Sequence, residues 1–116
     1  MINTGNAIVD LSFSFALEII KLSEELDKQR KYVIGKQILR SGTSIGANIR
    51  ESQQAESKAD FIHKLKIASK EIDETEYWLL LCKYSENCPD TDYLIPKIIE
   101  LKRVIGKIIS TSKKKQ

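Results

Sequence analysis

Apolar residues recur every three or four positions along most of the chain, the spacing of one side of an α-helix. In the first segment this side consists of Ile8, Leu11, Phe15, Ile19, Leu22 and Leu26. The pattern predicts a helix over residues 7–27, with Asn6 capping its first turn through its side chain. A second apolar row lies beside the first and consists of Phe13, Leu17 and Ile20. Because a helix in a monomer needs only one apolar side, this row predicts a contact with another subunit.

The second predicted helix covers residues 31–54, and its middle is rich in small residues. Its inward positions repeat at the same helical spacing and are Ile34, Ile38, Ser41, Ile45, Asn48 and Ser52. An interior glycine costs a helix about 1 kcal/mol relative to alanine, so a break at Gly42 is the alternative to a continuous helix. We favour the continuous helix because the isoleucines keep one register on both sides of the glycines. Gly42 and Gly46 then share a side where another backbone can approach closely, and this also predicts a partner surface.

Two further helices are predicted in the second half of the chain, over residues 57–86 and 92–112. Ser57 followed by Asp60 resembles a capping box at the start of the third helix. Pro96 is compatible with the fourth helix only in its first turn. Residues 113–116 form a basic tail beyond the fourth helix.

Four amphipathic helices with short connections predict a single all-α domain over residues 1–116, an up-down-up-down antiparallel four-helix bundle. No segment alternates with the period of two that a half-buried strand requires. The first and third helical segments are net acidic, and the second and fourth are net basic. In this topology every pair of neighbouring helices is therefore opposite in charge.

The composition and the apolar runs of the chain argue against a disordered tail and against a membrane-spanning protein. The chain has 116 residues, of which 41% are hydrophobic and 30% charged, enough apolar material for a core and too much for a disordered tail. The longest apolar run, Trp78 to Cys82, is far shorter than the roughly 20 residues that cross a bilayer. No cationic stretch precedes an apolar one at the N-terminus, so no signal peptide is visible and we expect a cytoplasmic protein.

No arrangement of residues indicates catalysis or metal binding. The acidic residues Glu71, Asp73, Glu74 and Glu76 have no histidine at ligand spacing, so we interpret them as a solvated helix face. Cys82 and Cys88 lack a second ligand pair for zinc, and Cys82 falls on the apolar side of the third helix. We therefore expect no enzyme activity, no catalytic residues, no metal and no cofactor.

Two side chains have both a structural and a functional interpretation. Asn48 occupies an inward position where isoleucine would be more stabilising, so we expect a buried, hydrogen-bonded amide that fixes register or association. Direct contact with a ligand is the alternative. Trp78 and its neighbour Tyr77 flank the apolar side of the third helix and are expected at a subunit contact. Stacking on a nucleic-acid base is the alternative for this pair.

The basic charge also has two interpretations. Complementarity to the acidic helices and to the negative end of a helix dipole accounts for it without a ligand. The topology, however, brings the ends of the second and fourth helices to the start of the third. This end is expected to gather cations that suit phosphate backbones, namely Arg50, Lys58, Lys107, Lys113, Lys114 and Lys115.

The second and third helices carry a recognisable motif. The stretch Gln37 to Glu51 reads Gln-Ile-Leu-Arg-Ser-Gly-Thr-Ser-Ile-Gly-Ala-Asn-Ile-Arg-Glu. It resembles the signature of the bacterial four helix bundle protein family, whose members are also called ribosomal-RNA intervening-sequence proteins or S23 ribosomal proteins. The resemblance continues through Ser57 to Phe61 and through Glu74 to Leu79.

The resemblance implies a bundle that assembles into a ring-like homo-oligomer, usually a homopentamer, without enzymatic activity. Members occur in intervening sequences of ribosomal RNA genes, and relatives act as accessory proteins with a reverse transcriptase and nucleic acid. We therefore predict an oligomeric accessory protein whose basic end contacts the RNA or DNA backbone. The alternative is a structural or protein-interaction scaffold that binds no nucleic acid.

Overall fold

The computed structural model describes residues 2–114, which form four α-helices joined by short turns, without a strand in that range. The helices are α1 (Ala7–Lys28), α2 (Tyr32–Ser52), α3 (Lys58–Tyr84) and α4 (Ile95–Lys114). Helix α2 runs unbroken through Gly42 and Gly46. The register of its isoleucines on both sides of the glycines is therefore kept by one continuous helix.

The four helices form an elongated antiparallel bundle of 49 × 26 × 21 Å. Each helix packs against the next, and α4 returns to α1, whereas the diagonal pairs make no close backbone contact within the described range. This arrangement is the up-down-up-down bundle that the sequence predicts. Helix α2 packs most closely, against α1 and α3, and the contact between α1 and α4 is the loosest of the four.

The core consists of the inward apolar rows of all four helices. Its largest fully buried side chains include Phe15, Ile19, Leu22, Leu26, Ile38, Ile45, Ile49, Leu65, Ile72, Leu79, Leu94 and Ile98. Each row follows the three-and-four spacing that the sequence shows, so burial of these side chains is what holds the helices together. Of the adjacent residues Asn48 and Ile49 in α2, Ile49 is fully buried and Asn48 is only half-buried.

The start of α1 differs from the sequence-based expectation, whereas α3 begins with the Ser57 cap that the sequence predicts. Asn6 precedes α1, but its side chain makes no cap and its Nδ2 donates instead to Oε1 of Gln53, 3.0 Å away. The side-chain cap predicted for Asn6 is therefore wrong: the amide joins the start of α1 to the end of α2. At α3 the Ser57 Oγ accepts from the backbone N–H of Asp60 at 3.0 Å, and the Asp60 carboxylate accepts from the N–H of Glu56.

Helix α4 begins at Ile95, three residues later than residue 92, because the preceding turn is anchored elsewhere. The buried Thr91 hydroxyl donates to the carbonyl oxygen of Leu79 at 3.0 Å, which fastens the turn to α3. Pro96 falls in the first turn of α4, where a missing N–H breaks no helical hydrogen bond.

The glycines of α2 face α1 of the same chain. A Cβ on Gly42 would lie 2.7 Å from Cγ2 of Ile19, and one on Gly46 would lie 3.4 Å from Oγ of Ser12. The backbone that approaches the glycine row is therefore α1 itself, because Ile19 fills the space that side chains on α2 would need. The glycine row offers no support for a partner surface on another subunit.

Candidate nucleic-acid interface

The central basic residue of α2, Arg40, is engaged within the bundle. The Arg40 guanidinium contacts the carboxylates of Glu71, at 3.3 Å, and of Glu74. Its Nε donates to the side chain of Gln37, 3.2 Å away. The indole Nε1–H of Trp78 donates to the same Glu74 carboxylate at 3.0 Å. This network joins α2 to α3, so Arg40 is not free to contact a ligand without breaking it.

The other two carboxylates of α3 face α4. Lys102 Nζ lies 2.9 Å from the Glu76 carboxylate and 3.1 Å from that of Asp73. Hydrogen bonds to these two carboxylates raise the pKa of Lys102 above its ordinary value. The four carboxylates keep between 20% and 65% of their side-chain surface exposed, as a solvated face should. Helix α3 also divides them between α2 and α4, so they hold neighbouring helices together.

Asn48 does not have the buried position that the sequence predicts. Its side chain is half-buried, and its Nδ2 donates to the carbonyl oxygen of Ser44 in the same helix at 2.9 Å. The inward polar contact between α2 and α3 is instead made by the fully buried hydroxyls of Ser41 and Thr75, 2.9 Å apart. The expected register of α2 otherwise holds, since Ser41, Ile45 and Ser52 are buried as predicted. Ile49 is buried in preference to Asn48 because its burial removes more apolar surface from water.

The structure does not gather the predicted basic end into one cluster. Arg50 lines a groove between α1 and α2, beside Val9 and Phe13. Lys58 is exposed at the first residue of α3, and Lys107 lies on the exposed side of α4. The cluster divides because Arg50 projects toward α1, whereas α4 lies diagonally across the bundle from α2.

The remaining predicted cations are the three lysines at the C-terminal end, Lys113, Lys114 and Lys115. Helix α4 runs to Lys114, so Lys113 and Lys114 are exposed residues of its last turn and not of the tail beyond residue 112 that the sequence analysis predicted. Lys115 is outside the described residues. Of the predicted cations, Lys107, Lys113 and Lys114 therefore share one helix, and Arg50 and Lys58 lie elsewhere.

The exposed cations of α4 form a row that the sequence analysis missed in part. Arg103, Lys107 and Lys114 are spaced by four and seven residues, so they share one side of the helix. All three are exposed, and none has a carboxylate within ion-pair distance in the part of the chain that the structure describes. We call these three residues the α4 row. The helical spacing from Lys107 to Arg103 is the signal in the sequence that would have found it.

The extra apolar row of α1 is exposed to a similar degree throughout. Phe13, Leu17 and Ile20 retain 37–38% of their surface. Together with small residues of α2, Phe13 lines the shallow groove that also holds Arg50. Trp78, also predicted at a subunit contact, is half-buried at the edge of the core and held by Glu74. The subunit contact stays a prediction.

Residues 2–114 contain no group of three or more His, Cys, Asp or Glu placed to hold a metal ion. Both cysteines are free thiols, and burial together with the neighbouring Cys88 raises the pKa of Cys82 to about 12. None of the helices in this range is both long and apolar enough to cross a membrane.

Comparisons with known protein families and solved structures point to the same family. The family model described as 23S rRNA-intervening sequence protein matches residues 5–107. A protein of unknown function from the S23 ribosomal protein family of Bacteroides thetaiotaomicron VPI-5482, with a crystal structure at 1.70 Å resolution, is 47% identical. That match covers 88% of this chain and 97% of the other, with a TM-score of 0.84. No curated protein matches the sequence.

Proposed function

Since the chain belongs to the 23S rRNA-intervening sequence protein family, we propose that it is a non-enzymatic accessory protein that binds nucleic acid. The contact is made to backbone phosphates by the basic side of α4. The observation that carries this proposal is the α4 row: Arg103, Lys107 and Lys114 point away from the bundle without carboxylate partners in the described residues. The family's name, which refers to ribosomal RNA, supports a partner rich in phosphate.

The α4 row suits a phosphate backbone better than a specific base sequence. Its three cations lie along one side of the helix, where they can follow a line of phosphate charges, and contacts to phosphates carry no sequence information. Phosphate contacts release counterions, so the affinity of such a site falls steeply as salt rises. We therefore expect binding that depends on salt and not on sequence.

Repetition of the row would raise the affinity. Three cations on one chain give weak binding, whereas several copies in an oligomer act on the same strand at a high effective concentration. The exposed row of Phe13, Leu17 and Ile20 supports self-association. The assembly we propose is the ring-like homopentamer; a reverse transcriptase as a further partner stays a prediction.

The test is a titration of labelled single- and double-stranded RNA and DNA at low and at physiological salt. The variant Arg103→Gln/Lys107→Gln/Lys114→Gln is compared with the control Lys28→Gln/Lys36→Gln/Lys97→Gln, which removes three exposed lysines outside the row. We expect the row variant to lower the log–log salt slope by about 0.9 per lost contact on duplex DNA. The control should change the slope much less. Absence of binding by the wild-type protein at low salt would contradict the proposal.

A scaffold without nucleic-acid binding is the second candidate, and the exposed apolar row of α1 favours it independently of charge. Light scattering coupled to size exclusion measures the assembly. A mass near the 13.2 kDa of one chain would contradict self-association, and a dimer would contradict the pentamer alone. The variant Phe13→Ser/Leu17→Ser is expected to lower the mass if this row is the contact.

A further inference from the structure

The C-terminal half of α3 carries apolar side chains on its outward side as well as on its inward side. Tyr77, Leu81 and Tyr84 are spaced by four and three residues, so they share one side of the helix, and Leu80 lies beside them. These four side chains keep between 37% and 79% of their surface exposed. A helix whose only contacts lie within the bundle needs polar residues here, so this row suits a contact outside the chain.

Helix α4 widens this row. Lys102 Nζ contacts the Glu76 carboxylate at 2.9 Å, which sets the two antiparallel helices at the same height. One turn closer to the C-terminal end of α3, Ile99 follows on α4 and Leu80 on α3, so these two exposed side chains are neighbours. We call five exposed residues the α3 patch: Tyr77, Leu80, Leu81, Tyr84 and Ile99.

The charged groups that border the α3 patch are neutralised inside the chain. They form three ion pairs: Arg40 with Glu74, Lys102 with Glu76, and Lys83 with Asp92. Lys83 is the only cation of residues 77–84, so the aromatic stretch has no unpaired cation for a phosphate. A neutral surface rich in tyrosine is typical of the centre of a protein–protein contact, and it favours a protein partner over a nucleic acid.

The two tyrosine rings are held in place within the chain. The Tyr77 ring packs edge-on against Trp78 with 5.6 Å between the ring centroids, and the Trp78 indole donates to Glu74. Lys83 Nζ lies 5.4 Å from the centroid of the Tyr84 ring. Side chains that are already ordered lose less conformational entropy when a partner covers them, so the patch is prepared for association.

The ends of the α3 patch carry opposite charges. Lys70 lies seven residues before Tyr77 on the same side of α3, and Glu86 follows Tyr84 by two residues. Both charged side chains are exposed, and neither has an ion-pair partner among residues 2–114. A surface that is positive at one end and negative at the other is complementary to a reversed copy of itself.

We propose that two copies of this chain pack through their α3 patches, with the two α3 helices antiparallel about a two-fold axis. In such a contact each residue pair occurs twice, once on either side of the axis. With Tyr77 opposite Leu81 of the partner subunit, the axis passes near residue 79. Lys70 then lies opposite position 88 of the partner, two residues from Glu86 of the partner subunit and within reach of its carboxylate.

This contact is separate from the surfaces described above. Helices α1 and α3 lie diagonally across the bundle, so one chain can use the exposed row of α1 and the α3 patch at the same time. The inference does not rest on nucleic-acid binding or on a ring. It assigns the subunit contact expected around Tyr77 and Trp78 to Tyr77, because Trp78 is half-buried and held by Glu74.

The first experiment measures mass by sedimentation velocity, from micromolar to millimolar protein, in the variant Phe13→Ser/Leu17→Ser. This background removes the α1 contact, and we expect it to form a dimer of twice 13.2 kDa. Adding Tyr77→Ser/Leu81→Ser should give the monomer. The matched control adds Tyr32→Ser/Val33→Ser, which removes an exposed tyrosine and an exposed aliphatic residue outside the patch, and it should keep the dimer.

Two outcomes of this experiment would overturn the inference. A background variant that stays at 13.2 kDa at millimolar concentration would show that the α3 patch does not join two copies. A dimer that persists after Tyr77→Ser/Leu81→Ser would show that another surface joins them. Neither outcome bears on the α4 row, whose oligonucleotide titration tests the proposed function separately.

A charge exchange tests the antiparallel arrangement. Lys70→Glu and Glu86→Lys each place like charges at both ends of the contact, and we expect each to raise the dimer dissociation constant about tenfold at low salt. The double variant Lys70→Glu/Glu86→Lys should restore the original constant, because its reversed ends match again. Screening should shrink both single effects at physiological salt. A double variant that dimerises no better than the single ones would overturn the proposed packing.

Discussion

Helices α2 and α4 belong to equally basic segments but use their charge differently. Residues 30–55 hold five Lys or Arg and one Glu, and residues 90–116 hold seven against three acidic residues, so each segment carries a net charge of +4. In α2 the central cation, Arg40, is paired with α3, and the glycines lie against α1. In α4 one cation, Lys102, is paired with α3, and the α4 row faces outward. The net charge of a helix therefore says little about binding until its neighbours are known.

The largest expected difference between α2 and α4 concerns alanine substitution of their glycines. A Cβ on Gly42 would lie 2.7 and 2.8 Å from two carbons of Ile19, whereas one on Gly106 of α4 would meet nothing within 4 Å. We expect Gly42→Ala to lower the free energy of unfolding by about 1–3 kcal/mol through overpacking. Gly106→Ala should instead raise it by up to about 1 kcal/mol, since alanine is the better helix former. Urea denaturation of both variants measures the two effects.

The sign of each effect is the informative result. If Gly42→Ala stabilises the protein, α1 and α2 are not in close contact, which would contradict the packing described for α2. A destabilised Gly106→Ala would show that this side of α4 is covered in solution, which would favour a subunit contact there over an exposed α4 row.

The fold could be predicted because its determinants are periodic. The apolar rows repeat every three or four residues, and most of their members are buried, as at Ile19, Ile45 and Leu79. The capping residue Ser57 also acts locally, since its hydroxyl accepts from the N–H three residues on. Such features depend on neighbours in the sequence, so the sequence alone contains them.

The site could be predicted only in part because it depends on the rotation of each helix. Asn48 and Ile49 are adjacent, and a small rotation of α2 decides which of them is buried. In the same way Arg50 projects toward α1, although the topology places its helix end near the end of α4.

A second prediction compares the paired cations of the two basic helices. Arg40→Ala removes a guanidinium that contacts two carboxylates, which are only 20% and 36% exposed. Lys102→Ala leaves Asp73, which is 65% exposed, and Glu76, which is 24% exposed. We expect the first to cost about 1 kcal/mol and the second about 0.5 kcal/mol, because the better solvated carboxylate loses less when its partner is removed.

The measurement is urea denaturation at low and at high salt, with Lys70→Ala as a control for the loss of an exposed lysine. High salt should shrink the Lys102 effect more than the Arg40 effect, since screening weakens exposed pairs first. If Arg40→Ala and Lys102→Ala lower the free energy of unfolding equally at both salt concentrations, the ion pairs of α4 hold it as tightly as those of α2 hold α2. That result would contradict the expected difference between the two helices.

The smallest expected change in the free energy of unfolding is that of Asn48→Ala, at a half-buried polar residue of α2. Asn48→Ala removes a hydrogen bond to the Ser44 carbonyl in the same helix and replaces asparagine by a residue about 0.7 kcal/mol better in a helix interior. These contributions oppose each other, so the free energy of unfolding should change by less than about 0.5 kcal/mol. Ile49→Val, at the fully buried neighbour, is the control and should cost about 1 kcal/mol. If Asn48→Ala proves the more costly of the two, Asn48 is the inward residue, and α2 is rotated from the orientation that places Arg40 against Glu71 and Glu74.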